Sequence, residues 1–303
     1  MIRLSVVIPC YNEAENVTEL HRQLSETLED LKLTAELVFV DDGSGDATLD
    51  RLRALAGEDK RVQVLSLSRN FGHQAALSAG LDHACGQAVV VMDADLQHPP
   101  ELIKTMVEQW ERGFDLVYAY REGVRPRLGY RVLNRLMRPP IPAESADFRL
   151  MDRKVVDAFR QMPERTRFIR GMVSWLGFRQ TGVGYHDRAR HAGQRAYTVR
   201  QTARMALHAL LSFSVIPLRL ASLLGLVTLL AGLFYAGYIL YARLAGWPIE
   251  RGWTGLMLTV LILGGVQLVS LGIIAEYIGR ILEEVKHRPL YVVRERIGGP
   301  GQS

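Results

Sequence analysis

Residues 88–97 read AVVVMDADLQ, an apolar run that ends in two carboxylates and an amide. The run Ala88–Met92 is short and rich in β-branched residues, which is typical of a buried strand. Asp93, Asp95 and Gln97 then follow at alternating positions. Oxygen ligands of this kind suit a hard divalent cation, and open α/β sheets bind ligands beyond the carboxyl ends of their strands. A solvated acidic turn is the alternative, because Asp-x-Asp is short and common.

Strand-like and helix-like segments alternate through the first part of the chain. The candidate strands are Leu4–Ile8, Glu36–Val40, Val62–Leu67, Ala88–Met92 and Leu116–Ala119. The candidate helices are Glu13–Leu31, Ala47–Leu55, Gln74–Ala84 and Pro100–Arg112. This alternation predicts an α/β fold, with a mostly parallel sheet and helices on both of its faces.

Polar groups follow the other predicted strands as well. They lie in residues 9–13, 41–44 and 69–73. Helix capping or turn formation explains any one of these groups. Together with Asp93 and Asp95 they would line one edge of the sheet, and four such groups at one edge are better explained by a shared ligand.

Familiar nucleotide-binding loops are absent from the sequence. There is no GxxxxGK[ST] loop, and Gly43-Ser44-Gly45 begins a GxGxxG pattern that fails at Thr48. No HExxH, GxSxG or zinc-type cysteine set appears either. A phosphate ligand would therefore depend on a metal ion and arginines rather than on a glycine-rich loop.

Two uncharged segments, residues 220–242 and 253–275, stand out in the last third of the chain. Each is long enough to cross a hydrocarbon core, which needs roughly 20 apolar residues. Buried core helices are the alternative, but two such runs are unusual inside a soluble domain. Basic residues precede the first segment and follow the second, so the positive-inside rule predicts two membrane spans with both chain ends in the cytoplasm.

Residues 199–219 lead into the first predicted span. Apolar positions within 199–211 recur at helical spacing, which predicts an amphipathic juxtamembrane helix, with an ordinary core helix as the alternative. The predicted organisation is a cytoplasmic domain of residues 1–198, this helix, two spans within 220–275, and a basic cytoplasmic tail of residues 276–303.

The formal net charge of +5 has its basic surplus beside the predicted spans. This placement favours a membrane surface, and no nucleic-acid motif supports a nucleic-acid partner. Cys10 and Cys85 form no CxxC pair and follow apolar segments. They are predicted to be reduced core residues of a cytosolic domain.

Family 2 glycosyltransferases with the GT-A fold have successive motifs that resemble SVVIPCYNEAENV, VFVDDGSGDAT, SRNFGHQAALSAGLDHACG and MDADLQHPPEL. Their polyprenyl-phosphate branch, which includes dolichol-phosphate mannose synthases and bacterial carrier-lipid glycosyltransferases, resembles this chain in DFRLMDR, RFIRGMVSWLGF, SFSVIPLR and the segment LGGVQLVSLGIIAEYIGRILEEVKHRPLYVVRE. The resemblance runs from about Leu4 to Glu295. It implies a nucleotide-sugar donor, a polyprenyl phosphate acceptor and a bacterial plasma membrane location.

The resemblance also implies roles for individual residues. Donor binding falls to Pro9, Tyr11, Glu13, Val40, Asp42, Asp93, Ala94, Asp95 and Arg121. A Mg²⁺ or Mn²⁺ ion would be bound by Asp95 and Gln97. The acceptor phosphate would contact Arg131, Arg190 and Arg195.

The catalytic residues that the resemblance implies are Asp95, Arg121 and Asp147. Asp147 would be a general base or a positioning carboxylate, and a salt bridge to Arg149 is the alternative. The sequence departs from the family at residues 193–197, where GQRAY replaces Gly-Glu-Ser-Lys-Tyr. The missing lysine leaves the acceptor residues less firmly assigned than the metal ligands.

Sugar transfer with inversion, from a UDP-sugar to undecaprenyl phosphate, is the function that these patterns favour. A processive polysaccharide synthase is a weaker alternative, because the chain has no Gln-x-x-Arg-Trp motif and only two predicted spans. A catalytically silent membrane scaffold or flippase subunit is a third reading, against which Asp93, Asp95 and Gln97 argue. Small residues in the spans, such as Gly264 and Gly265, are compatible with a homo-oligomer.

Overall fold

The computed structural model describes residues 2–123, 145–165, 167–186, 216–246 and 252–299. The chain divides into two compact units. The sheet unit comprises Met1–Ala196 and Pro289–Ser303, and the hairpin unit comprises Tyr197–Arg288.

The sheet unit is built around one mixed sheet. Its described strands are β1 (Leu4–Cys10), β2 (Ala35–Asp41), β3 (Val62–Leu67), β4 (Ala88–Val91), β5 (Leu116–Arg121), β6 (Ser145–Asp152), β7 (Gln180–Tyr185) and β8 (Val293–Gly298). Their order across the sheet is β7-β5-β6-β4-β1-β2-β3-β8. Strands β1 to β4 run parallel to one another, as β5 and β7 do, whereas β6 and β8 are antiparallel to their neighbours. The predicted mostly parallel α/β fold is confirmed.

Helices cover both faces of this sheet. They are α1 (Val17–Leu31), α2 (Thr48–Glu58), α3 (His73–His83), α4 (Leu102–Glu111), α5 (Arg153–Arg160) and α6 (Ile169–Trp175). One hydrophobic core lies between the sheet and α1, α2 and α4, and the other lies beneath α3, α5 and α6. All four candidate helices of the first part of the chain are present. Helix α1 begins at Val17 rather than at Glu13, because Asn12 is left-handed with φ 57° and a turn follows it.

The antiparallel strand β6 was not among the strands predicted from the sequence. It pairs with β4 on one side and with β5 on the other. Its sequence, SADFRLMD, alternates buried apolar residues such as Phe148 and Leu150 with the charged Asp147 and Arg149. All four of these residues are buried, so Asp147 and Arg149 are interior residues of a central strand rather than residues of a surface loop.

The hairpin unit contains two long helices, α7 (Ile216–Leu244) and α8 (Trp253–Val285), which contact each other. The stretches Ala221–Ala242 and Ile262–Val285 are long and apolar enough to cross a membrane. The first coincides with the predicted span 220–242, and the second starts later than the predicted 253–275. The predicted interfacial helix lies outside the described residues except for 216–219, which belong to α7.

The structure differs from the predicted basic tail of residues 276–303. Residues 276–285 continue α8, and β8 joins the sheet beside β3. Exposure alternates along the β8 sequence VRERIG, as in a half-buried edge strand: Arg294 and Arg296 are exposed, whereas Val293, Glu295 and Ile297 are partly buried. Glu295 accepts a hydrogen bond from Arg53 of α2 at 2.7 Å, and Ile297 packs against the core.

The two cysteines have different environments. Cys10 is buried at the end of β1, as predicted. The prediction that Cys85 is a core residue was wrong, because its side chain is exposed in the turn after α3. Burial raises the pKa of the Cys10 thiol well above its usual value, with smaller contributions from nearby carboxylates such as Glu13.

Helix α3 lies close to the sheet because Gly80 has no side chain. A Cβ at Gly80 would overlap the Cγ1 atom of Val7 and approach Val40 Cγ2 at 3.2 Å. Both valines are fully buried and β-branched, so they cannot easily move away. Gly57 of α2 is a matched case, since a Cβ there would meet nothing within 4 Å.

We expect Gly80→Ala to lower the melting temperature of the protein and Gly57→Ala to leave it unchanged or raise it. Overpacking costs about 1–3 kcal/mol, whereas alanine in a helix is favoured over glycine by up to about 1 kcal/mol. Thermal unfolding of the two variants in detergent measures the difference. Equal melting temperatures would show that α3 can move away from β1.

Candidate active site

The predicted ligand edge of the sheet is formed by the carboxyl ends of β1 to β4. The antiparallel register of β6 brings a further carboxylate to this edge. Val91 of β4 pairs with Arg149, so the residues before Arg149 extend past the end of β4. Asp147 therefore lies at the level of Asp93. Arg121, the last residue of β5, reaches the same edge.

The loops after β1 and β2 are joined by hydrogen bonds. The Asn12 N–H donates to Ser44 Oγ at 3.0 Å, and the Gly45 N–H donates to Asn12 Oδ1 at 2.9 Å. Gly43 has φ +69°, and a Cβ there would lie 2.5 Å from the backbone carbon of Arg69 in the loop after β3. The three loops therefore form one continuous surface, on which the Tyr11 side chain is exposed.

Asp42 is hydrogen-bonded to the loop after β3. Its two carboxylate oxygens accept hydrogen bonds from the N–H groups of Phe71 at 2.8 Å and Gly72 at 2.9 Å. Burial raises the pKa of Asp42, and these two backbone hydrogen bonds oppose the rise. Its predicted contact with a nucleoside stays a prediction, and the structure gives the carboxylate a positioning role.

The other predicted nucleoside residues differ in exposure. Pro9 and Val40 are paired within the sheet and are buried, so only their backbone approaches the edge. Glu13 is partly buried, and its carboxylate accepts a hydrogen bond from Asn16 Nδ2 at 2.6 Å. Of this set, Tyr11 is the residue whose side chain is open to a ligand.

The acidic turn, Asp93 to Gln97, has a defined backbone. The Gln97 N–H donates to Asp95 Oδ1 at 3.1 Å, and Leu96 is left-handed with φ 61°. A leucine in this conformation costs on the order of 1–3 kcal/mol, which is tolerated because its side chain is buried in the core. Ala94 is also buried. The alternation predicted from the sequence thus places the Asp93 and Asp95 side chains on either side of a buried alanine.

Asp147 is held by cations. Arg170 of α6 donates to both of its oxygens, from Nε at 2.6 Å and from Nη2 at 2.9 Å. Arg149 Nη2 is 3.8 Å from Oδ1, so the salt bridge considered from the sequence is secondary to the one with Arg170. Burial raises the pKa of Asp147, but the bonds from Arg170 and His73 outweigh burial and hold it well below its usual value. These contacts favour the ionised form of the Asp147 carboxyl group.

His73, at the start of α3, lies between two carboxylates. Its Nε2 atom is 3.4 Å from Asp93 Oδ1 and 3.6 Å from Asp147 Oδ2. Burial lowers the pKa of His73, but the interactions with Asp147 and Asp93 outweigh burial and raise it. The sequence placed His73 at the ligand edge as part of residues 69–73 but gave it no individual role, and it gave Arg170 no role, although both lie in the quoted family motifs.

Arg121 is fixed by an aromatic residue of β7. Its Nε donates to the hydroxyl oxygen of Tyr185 at 3.4 Å. The predicted acceptor residues Arg131, Arg190 and Arg195 lie outside the described residues. Their roles, like those of the other predicted site residues, stay predictions.

The acidic turn fits a divalent cation that is shared with a ligand. Among the described residues, no group of three or more His, Cys, Asp or Glu side chains forms a closed metal site. Mg²⁺ is commonly bound through one or two carboxylates together with substrate phosphates, so a closed cage is not required. Asp93 Oδ1 is buried and accepts no hydrogen bond within the described structure. Asp95 and Gln97 carry further oxygen atoms in the same turn.

The fold and this edge of the sheet define a class of protein. An α/β sheet with an acidic turn after β4, and with further charges brought beside it by β5 and β6, is typical of nucleotide-sugar-dependent transferases. The chain belongs to glycosyl transferase family 2, whose family model matches residues 5–162. A second model, the GtrB C-terminal hairpin, matches residues 216–281, which cover most of α7 and α8.

Relatives match nearly the whole chain. An uncharacterized glycosyltransferase of Synechocystis sp. is 44% identical over 98% of this chain and 96% of its own. A bactoprenol glucosyl transferase of Shigella phage SfV is 39% identical over 97% of this chain and 98% of its own.

A solved structure has the same architecture. It is glucosyl-3-phosphoglycerate synthase from Mycobacterium tuberculosis, with a TM-score of 0.54 and 21% identity over 69% of this chain and 76% of that one. This likeness is one of fold and confirms the predicted GT-A architecture.

The raised pKa of His73 makes a prediction about stability. Protonated His73 stabilises the folded state fully below its unfolded pKa of about 6.5, and this contribution is lost as pH rises through the higher folded pKa. We therefore expect His73→Gln to lower the melting temperature more at pH 6 than at pH 9. The Asp147→Asn background is the control, because the partner that raises the pKa is neutral there and the difference between the two pH values should shrink. A loss that is equal at both pH values would contradict an ion pair.

Proposed function

We propose that this protein transfers a sugar from a UDP-sugar to a polyprenyl phosphate, with inversion at the anomeric carbon, at the cytoplasmic face of a bacterial plasma membrane. The observation that carries the proposal is the acidic turn of Asp93 to Gln97 beside the Asp147 carboxylate, its partner Arg170 and the His73 ring. The bactoprenol glucosyl transferase relative supports a polyprenyl phosphate acceptor.

The donor would lie over the continuous surface formed by the loops after β1, β2 and β3. Tyr11 offers an exposed ring to the base, and Arg121 faces the diphosphate at the end of β5. The related fold of glucosyl-3-phosphoglycerate synthase was crystallised with Mn²⁺ and uridine diphosphate, which supports a UDP donor here. Arginine suits this position because its planar guanidinium forms two parallel hydrogen bonds to phosphate oxygens.

Asp95 and Gln97 would hold Mg²⁺ or Mn²⁺ beside the donor diphosphate. Bound there, the cation would neutralise the charge that develops on the leaving nucleoside diphosphate. Asp93, with one oxygen facing His73, would contact the donor sugar or its phosphate.

Asp147 is better suited to positioning than to proton transfer. Its low pKa and its two bonds to Arg170 make it a weak base. A phosphate acceptor needs no strong base, because it is already largely ionised at neutral pH. We infer that Asp147 fixes Arg170 and His73 at the edge of the sheet, and that an acceptor phosphate oxygen attacks the anomeric carbon directly. Arg131, Arg190 and Arg195 would bind that phosphate.

The hairpin unit would hold the enzyme at the membrane that contains its acceptor. A polyprenyl chain is confined to the bilayer, and α7 and α8 each contain a stretch that is apolar enough to enter it. Basic residues flank both helices, including Arg288, Arg294 and Arg296 after α8. This distribution supports a cytoplasmic location for both chain ends.

The experiment that tests the proposal uses the full chain in detergent with Mn²⁺, undecaprenyl phosphate and a panel of UDP- and GDP-sugars. Mass spectrometry of the lipid product identifies both the reaction and the sugar. We expect one UDP-sugar to yield a glycosyl-phosphoryl lipid. Product from GDP-sugars alone would overturn the UDP assignment, and a folded protein that is inactive with every donor would favour the silent scaffold.

We expect Asp95→Asn to reduce kcat by at least a hundredfold and to weaken Mn²⁺ binding in the presence of UDP. The substitution keeps the shape of the side chain and removes the charge that a divalent cation requires. Steady-state kinetics and Mn²⁺ titration measure the two effects. Asp50→Asn is the matched control, because this exposed carboxylate of α2 pairs with Arg53 at the surface. Normal metal-dependent turnover of Asp95→Asn would remove Asp95 from the metal site.

A further inference from the structure

His98 is a buried histidine directly after the acidic turn. Only 3% of the residue is exposed. Its ring stacks on Phe148 of β6, with centroids 5.1 Å apart and planes at 22°. The edge of a second ring, Tyr185 of β7, meets it at 5.9 Å and 79°. Aromatic residues of β6 and β7 therefore hold the His98 ring in one orientation.

The same ring accepts a hydrogen bond from the acidic turn. Strand β4 ends at Val91, and the N–H of Met92 still donates to Val7 O at 3.1 Å. The next amide, that of Asp93, donates to His98 Nδ1 at 3.3 Å. His98 thus accepts the hydrogen bond of the first backbone N–H beyond the sheet, which a neighbouring strand no longer pairs. Because Nδ1 is the acceptor, the ring proton lies on Nε2.

Each aromatic neighbour of His98 is adjacent in sequence or hydrogen-bonded to a charged residue of the site. Phe148 lies between Asp147 and Arg149 in β6. The Tyr185 hydroxyl accepts a hydrogen bond from Arg121 at 3.4 Å. One buried ring therefore touches the segment that carries the acidic turn, the strand that carries Asp147, and the residue that fixes Arg121.

We propose that His98 is a positioning residue that fixes the acidic turn in register with Asp147 and Arg121. The proposal rests on the proposed function, since it assigns His98 to the same site. His98 reaches this role through two separable properties, an acceptor atom for the Asp93 amide and a flat ring for Phe148. Displacement of reacting groups by about 1 Å can cost on the order of a hundredfold in rate, so a small shift of the turn is enough to be measured.

Two substitutions separate the properties. His98→Phe keeps a flat ring against Phe148 and removes the acceptor. His98→Asn keeps an acceptor within reach of the Asp93 amide and removes the ring. His83→Phe is the matched control, because this histidine at the end of α3 contacts Ala79 O at 2.8 Å and lies outside the site.

The first measurement is amide hydrogen exchange of the full chain in detergent without ligands, which does not depend on activity. We expect exchange in peptides covering 90–97 to be at least fivefold faster in His98→Phe, to be largely restored in His98→Asn, and to be unchanged in His83→Phe. Exchange in His98→Phe equal to that of the parent would overturn the proposal. If His98→Phe does not fold, the test rests on His98→Asn. A His98→Asn protein that folds like the parent but exchanges its 90–97 amides rapidly would show that the acceptor atom does not fix the turn.

The second measurement is kinetic and uses the donor that the panel identifies. We expect kcat/KM for the donor to fall at least tenfold in His98→Phe, with partial rescue in His98→Asn and an unchanged KM for the lipid acceptor. Unchanged kinetics together with faster exchange would leave His98 a purely structural residue and overturn its role in the site. Absence of transfer by the parent would count against the proposed function alone, because the exchange result still reports on His98.

Discussion

The insertion of β6 between β4 and β5 is the constraint on which the site depends. Both of its pairings are antiparallel, so its first residues meet the last residues of its neighbours. A strand in the opposite direction would carry Asp147 to the far edge of the sheet, away from Asp93. The register is fixed by burial, because Phe148 and Leu150 fill the core on one face. A shift of one residue would place Asp147 there instead.

Charge balance follows from this arrangement. Two carboxylates, Asp93 and Asp147, lie within reach of one histidine, and Arg170 pairs with the more buried of them. The resulting cluster already has its ion-pair and hydrogen-bond geometry before any ligand arrives. Preorganised charges of this kind contribute more in a protein interior than in water, since they need no rearrangement when charge develops on a substrate.

The sequence was sufficient for the parallel half of the fold. Short apolar runs rich in β-branched residues, such as Ala88–Met92, are typical of buried strands, and every one of the five strands predicted from the sequence is present. Strands β6, β7 and β8 were not predicted from the sequence, because charged residues or glycines interrupt their apolar positions. The acidic turn was found because its two carboxylates lie only two positions apart and directly follow an apolar run. The pairing of Asp147 with Arg170 and His73 was not predicted, because these residues lie far apart in the chain and only the fold brings them together.

The position of β8 in the chain has a consequence for biosynthesis. This strand covers the outer edge of β3, yet the two apolar helices of the hairpin unit precede it in the sequence. A ribosome therefore completes both helices before the strand that closes the sheet emerges. Until then β3 presents unpaired backbone groups, which invite pairing with other chains. The edge of β3 would thus stay open until β8 is synthesised. By then both apolar helices have left the ribosome and can already have entered the bilayer.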